Sequence, residues 1–213
     1  MLLSNLTKPM LPISLNEQVN NFLESPWLHS TTTDSYRILD QLWIDSLRSL
    51  FYSNQYVELT LFHRKCLFPA VQQGAVDSAN LLGLFELMLF RWYTIISNRH
   101  PLCSAVDIGA NIGFHSLFMA KCFKKVNSFD PDVKHSSDFM SVMEINHVTN
   151  NVILNNVAVT DTNGAALFTR VLNNPTASYV DNLKQGYGPL EHVQVPTVSA
   201  SEAVADALVL KID

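Results

Sequence analysis

Hydrophobic and polar positions follow two different rhythms along this chain. Over roughly the first hundred residues apolar positions recur mainly at steps of three and four, the spacing of helices with one buried face. Residues 1–13, with Pro9 and Pro12, read as an irregular arm. Ser14-Leu15-Asn16-Glu17 fits a capping box, in which Ser14 and Glu17 each satisfy a free backbone donor. It predicts a helix to about Glu24, stopping before Pro26. The polar cluster Thr31-Thr32-Thr33-Asp34 caps a second predicted helix, whose apolar face is Ile38, Leu39, Leu42, Trp43, Leu47, Leu50 and Phe51. Residues 56–68 fit two templates: Val57, Leu59 and Leu61 alternate as in a strand, whereas Leu61, Phe62, Lys65 and Cys66 have helical spacing. Ser78 or Asp77 then caps a long helix to about Asn98, ended by His100-Pro101.

From Ser104 short apolar runs alternate with helical stretches. Strands are predicted at 104–108, 126–129, 152–159, 165–172, 193–198 and 207–212. A helix carried by Phe114, Leu117 and Phe118 follows the first strand, a second spans roughly His135–Asn146, and a short one covers Ser199–Ala205. Asp161-Thr162-Asn163-Gly164 is a turn signal, and residues 173–191, rich in Asn, Pro, Gly and Tyr, read as a loop. Strands separated by helices imply right-handed crossovers and a largely parallel sheet. The predicted architecture is α/β: a mostly helical extension over residues 1–100, then a Rossmann-like domain over 101–213.

Composition narrows the function classes. Hydrophobic residues make up 47% and charged residues 15% of 213, enough for a packed core and too apolar for a disordered chain. The formal net charge is -5, and the one cluster of basic residues, Lys121, Lys124 and Lys125, reads as a solvated helix end, which argues against nucleic acid as a partner. Cys66, Cys103 and Cys122 show no Cys-x-x-Cys spacing, so they read as reduced thiols in a cytoplasmic protein rather than as a disulfide framework or zinc ribbon. The N-terminus lacks the basic and apolar regions of a signal peptide, and the apolar segment from Leu81 to Ile96 carries Glu86 and Arg91, short of a membrane span. His63 and Cys66 have helical ligand spacing, but two such residues do not make a metal site.

The chemistry concentrates at Val106-Asp107-Ile108-Gly109-Ala110-Asn111-Ile112-Gly113, between the first strand and its helix. In open α/β sheets this is where nucleotide-like ligands bind. Asn111 stands where a dinucleotide fold has its second glycine, which moves the expected ligand from NAD towards S-adenosylmethionine. Gly109 permits close approach to the main chain, Gly113 lets the next helix pack near the strand, and the amides at the helix start favour an anion, here the methionyl carboxylate. Asp107 is placed to pair with the ammonium group of such a ligand. Downstream, in Phe129-Asp130-Pro131-Asp132, Asp130 follows its strand directly and suits the ribose hydroxyls, while Asp132 reads more readily as a capping or solvated acid.

These stretches, with Phe114-His115-Ser116-Leu117, Asn150-Asn151-Val152, Asn156 to Asp161, Gly164 and Leu210-Lys211-Ile212-Asp213, resemble the FkbM-type family of S-adenosylmethionine-dependent methyltransferases over about residues 103–213. The resemblance implies a class I methyltransferase fold and methyl transfer to a hydroxyl of a sugar or small natural product. It implies that Asp107, Gly109, Ala110, Asn111 and Gly113 line the methionine part of the cofactor, that Asp130 holds the ribose, and that Ala158 to Asp161 lie near the adenine. In that family the Lys-Ile-Asp block continues into further strands; here it ends at Asp213, which reads either as a truncation or as a chain whose missing surface comes from elsewhere, such as a second copy or a partner chain. Asp213 is the first candidate for a base, an acceptor-orienting acid or a metal-binding acid, against the alternative of a frayed terminal residue. His115 either faces the cleft as a base or acceptor contact, or serves helix packing or cofactor support. The rival readings are a non-catalytic cofactor-binding or scaffold chain and, less favoured, a nicotinamide oxidoreductase.

Overall fold

A computed structural model describes residues 13–24, 33–180 and 188–213. The N-terminal part comprises α1 (Ile13–Leu23), α2 (Asp34–Ser53), β1 (Tyr56–Leu61), β2 (Arg64–Pro69), the two-residue strands β3 (Gln72–Gln73) and β4 (Val76–Asp77), and α3 (Leu84–Arg99). Thr33 caps α2 as expected, its hydroxyl accepting from the Tyr36 amide at 3.3 Å. Ser14 already lies inside α1, and the arm before Ile13 is outside the described residues. The ambiguous segment 56–68 is an antiparallel hairpin, and Val57, Leu59 and Leu61 all point inward. Its two-residue turn, Phe62-His63, has φ of 50° and 65°, the primed geometry that matches the twist of paired strands.

The long helix begins at Leu84, later than expected from Asp77 or Ser78. Both polar residues serve the turn before it instead. Ser78 Oγ accepts from the Val71 amide at 2.8 Å and donates to the Pro69 carbonyl at 2.7 Å, and Asp77 accepts from the Asn80 amide at 2.9 Å.

The second part continues with β5 (Ser104–Ile108), α4 (Phe114–Cys122), β6 (Lys125–Phe129), α5 (Ser136–Ile145), β7 (Val152–Asn155), β8 (Ala158–Thr160), β9 (Gly164–Val171), β10 (Tyr179–Val180), β11 (Leu190–Ser199), the short α6 (Ala200–Ala203) and β12 (Ala207–Ile212). A parallel four-stranded sheet has the order β12-β5-β6-β7, the Rossmann-like arrangement in which the chain starts in the middle and winds outward. The other strands build a second sheet, β10-β9-β11-β8, antiparallel except for the β11–β8 pair. The largely parallel expectation thus holds for one sheet and fails for the other.

The single strand expected over 152–159 is two strands in different sheets. Between them Asn156 donates to the Asp130 carbonyl at 3.2 Å and accepts from Ser136 Oγ at 3.1 Å, and the chain leaves the parallel sheet there. Part of the loop expected over 173–191 is β10; residues 181–187 are outside the described residues.

One continuous core joins the two parts. Trp43, Leu47, Phe68, Leu87, Phe90, Leu117, Phe118 and Phe139 are buried together, and the Phe90 and Phe118 rings stack with centroids 4.4 Å apart. The Asn146 side-chain amide pairs with both backbone groups of Leu67, at 2.8 Å each, so the end of α5 caps the β2 backbone as a neighbouring strand would. A smaller cluster around Val106, Phe129 and Ala203 fills the opposite face of the parallel sheet. Among the described residues no helix is long and apolar enough to cross a membrane.

The two sheets are also tied by charge. Arg170 on β9 donates from Nε to both carboxylate oxygens of Asp132 at 3.0 Å and reaches Glu191 at 3.1 Å. Burial works against the Asp132 charge, but Arg170 and the Lys134 amide outweigh it and hold the carboxyl below its usual range. The stability this adds is present above the ordinary carboxylate pKa and disappears as pH falls through the lowered one. Arg170→Met should cost about 3–5 kcal/mol in urea unfolding, because it strands a buried carboxylate. Adding Asp132→Asn should recover part of that loss and weaken the acid-side dependence of stability.

Candidate cofactor site

In-register parallel strands set equivalent residues side by side. Lys211 on β12 stands opposite Asp107 on β5, and Asp107 opposite Ser128 on β6. All three point to the face covered by α4, where Ser116 meets them. Asp107 is fully buried. Its Oδ2 accepts from Ser116 Oγ at 2.6 Å, Ser116 Oγ lies 2.8 Å from Ser128 Oγ, and its Oδ1 lies 3.3 Å from the Lys211 ammonium without a formed hydrogen bond. Lys211 also reaches Asp213 Oδ2 at 3.2 Å and the Gly109 carbonyl at 3.4 Å. Burial penalises the Lys211 charge, but Asp107 and Asp213 more than offset it and leave its pKa raised. Asp107, expected to face a ligand ammonium, already has a cation from its own chain.

The turn from Gly109 to Gly113 is held from within. The Gly109 and Ala110 amides both donate to the Phe129 carbonyl, at 2.9 and 3.0 Å, the Asn111 amide to Asp130 Oδ2 at 2.7 Å, and the Gly113 amide to the Ala110 carbonyl at 2.8 Å. These four amides, expected to be open to an anion, are therefore committed; the donors left are the Ile112 amide and those of the first turn of α4, which have no acceptor within the helix. Gly109 has φ of 78°, and a Cβ there would lie 2.9 Å from the Cβ of Asp213. Gly113 has φ of 89°, and a Cβ there would meet Met143 and Phe139 at 2.7 Å, so it admits α5 rather than serving only the strand–helix contact.

Asp130 fastens the turn from the neighbouring strand end. Besides Asn111, it accepts from the Asp132 amide at 2.9 Å and pairs with His135 Nδ1 at 3.2 Å. Its own backbone is set by Asn155, whose carbonyl takes the Asp130 amide at 3.1 Å. Asp132 caps the turn that follows, accepting from the Lys134 amide at 3.0 Å, in line with its reading as a capping acid. Burial opposes charge on His135, but the hydrogen bond to Asp130 and the charges of Asp130, Asp132 and Asp138 prevail, and its pKa is raised.

The remaining candidates separate. Asp213 stands at the mouth of the turn, 76% exposed, with its amide on the Ile108 carbonyl at 3.1 Å. His115 points towards α3: Nε2 lies 2.7 Å from Glu86 and Nδ1 3.1 Å from the Tyr93 hydroxyl, so both ring nitrogens are occupied by packing partners. Ala158 is buried with Phe168 and Val195 in the second sheet, and Asp161 is exposed in the turn after β8. Asp130 is touched instead by Asn155 and Asn156, just before that stretch. Among the described residues no group of His, Cys, Asp or Glu is arranged to hold a metal ion.

Sequence reasoning passed over Lys211, Ser116, Ser128, His135 and Gln73. Lys211 and Ser128 had a signal: once the parallel strands are aligned, both stand opposite the buried Asp107, and a lysine there is its expected partner. Gln73 had none. It comes from β3, and its amide forms a reciprocal pair with the Asn111 amide, each hydrogen bond 3.0 Å.

No protein-family model matches the chain, and no curated protein matches it. Among solved structures it is similar to the methyltransferase FkbM from Methylobacillus flagellatus KT, with 14% identity over 53% of this chain and 26% of that one and a TM-score of 0.36. A methyltransferase from Geobacter sulfurreducens shows 14% identity over 67% and 57% of the two chains, with a TM-score of 0.32. Coclaurine N-methyltransferase, solved with N-methylheliamine and SAH, shows 13% identity over 69% and 44%, with a TM-score of 0.27. The chain thus spans only part of the length of each. The fold assignment rests on the strand order and the glycine turn, not on these likenesses.

Two outcomes test the site's electrostatics. Lys211→Met should destabilise the protein by about 3–5 kcal/mol in chemical denaturation, and the double variant with Asp107→Asn by clearly less, because only the single change leaves a buried charge alone. The contribution of His135 should be complete below the ordinary histidine pKa and fade as pH rises through its raised value. His135→Gln should flatten that segment of the stability–pH profile, as read by thermal unfolding across buffers.

Proposed function

We propose that this chain binds S-adenosylmethionine and belongs to an FkbM-type methyltransferase acting on a hydroxyl of a sugar or small natural product. The observation that carries the reading is the charge at the glycine turn. Two carboxylates, Asp107 and Asp213, surround one ammonium, Lys211, and Asp213 is left facing outward beside Gly109. A net negative mouth, with four amides of the turn already bonded, suits a ligand with a cationic sulfonium centre better than the doubly charged pyrophosphate of a dinucleotide. The residues fit such a cofactor in other respects. The close approach of Gly109 to Asp213 leaves main chain rather than side chain along the turn, and Asp130 stands at the adjoining strand end with its carboxylate fixed.

Bound there, the cofactor would supply an electrophilic methyl group. Asp107 and Lys211 act beneath the turn as its support, and Asp130 orients the turn while offering the remaining lone pair of Oδ2 to a ribose hydroxyl. Asp213, exposed and adjacent, is the acid placed to accept the proton of an acceptor hydroxyl or to orient it. His115 serves the α3–α4 contact in this reading, through Glu86 and Tyr93.

Isothermal titration with S-adenosylmethionine, S-adenosylhomocysteine and NAD tests the proposal. The first two should bind and NAD should not, and Asp130→Ala should weaken binding by roughly tenfold or more, the cost of losing hydrogen bonds to a charged acceptor. NAD binding, or no binding of the sulfonium ligand or its product, would refute it.

A further inference from the structure

Gln73 is brought to the glycine turn from outside the parallel sheet, and its placement is built in detail. The β3–β4 hairpin is pinned at its base by the Ser78 hydroxyl, on Val71 and Pro69. At its tip Gln72 Nε2 donates to the Gly74 carbonyl at 2.6 Å, and Gly74 abuts the Asn173 carbonyl so closely that a Cβ would collide with it. The hairpin therefore rests on two supports, the glycine turn and the turn after β9. Between them Gln73 is 8% exposed, an unusual burial for an amide whose protein partner is one other amide.

The chemistry of that pair is incomplete. A primary amide has two N–H donors and an oxygen with two lone pairs. The reciprocal bonds use one N–H and one lone pair on each residue, so Gln73 and Asn111 each keep one donor and one acceptor at the turn. A donor and an acceptor side by side match a zwitterion, whose carboxylate takes the N–H and whose ammonium fills the lone pair. Asp107 cannot take that ammonium alone, since Lys211 already stands beside it at 3.3 Å.

We propose that Gln73, with Asn111, binds the amino-acid end of the methyl donor, so that the N-terminal part supplies part of the cofactor site. This rests on the reading of the chain as a binder of S-adenosylmethionine.

The experiment compares two probes that differ in that end alone: S-adenosylhomocysteine, which has it, and 5′-methylthioadenosine, which lacks it. Both are titrated calorimetrically into wild type, Gln73→Ala, the near-isosteric Gln73→Met and Asp130→Ala. Both Gln73 variants should bind S-adenosylhomocysteine about tenfold or more weakly, the loss expected for hydrogen bonds to charged groups. Their affinity for 5′-methylthioadenosine should stay within about twofold, as for an uncoupled site. Asp130→Ala should weaken both probes. The ratio of the two affinities is read within one variant, so a reduced folded fraction cancels from it. An unchanged ratio in both Gln73 variants overturns the inference and leaves the cofactor assignment standing. Wild type that binds neither probe overturns the assignment itself, and the inference with it.

Discussion

A carboxylate without solvent exposure is costly unless a cation shares its site, and Asp107 is such a group at the centre of the parallel sheet. Its cation, Lys211, comes from β12, far along the chain and next to β5 in space. The pair works only in one register, since a shift of one residue would turn Lys211 to the other face. The Asp107–Lys211 contact thus ties the identity of the neighbouring strand to the start of α4, where Ser116 completes the site. The Gly109 turn sits on this support, and Lys211 reaches its carbonyl directly.

Asp130 extends the same logic across the sheet. It stands at the end of the next strand and holds the Asn111 amide, while His135 and the Asp132 amide hold Asp130. The turn is consequently rigid before any ligand arrives, which lowers the ordering cost of binding. The same bonds occupy the amides of Gly109, Ala110, Asn111 and Gly113 and leave those at the start of α4 open. One network therefore shapes the turn from both neighbouring strand ends.

Much of the fold was legible because its signals are local. The glycine turn, the strands at 104–108 and 207–212, the helix after Gly113 and the Thr33 cap all follow from periodicity and capping chemistry within a few residues. The failures came where a distant partner decided the outcome. The hairpin over 56–69 won over a helix because it buries Val57, Leu59 and Leu61 against the shared core. The run 152–159 broke because Asn156 is claimed by Asp130 and Ser136. His115 stood in a helix turn beside the glycine loop, yet its direction was settled by Glu86 and Tyr93 on another helix.

By itself the sequence determined the α/β alternation, the position of the glycine turn and the acids at its strand ends, because those depend on residue type and on spacing along the chain. Only the tertiary structure decided which charges meet. It gave Asp107 to Lys211, fixed Asp130 on the turn, and set Gln73 against Asn111 from a hairpin that shares no motif with the parallel sheet. Side-chain partners across elements depend on register and packing, which are properties of the assembled fold, not of any one stretch of chain.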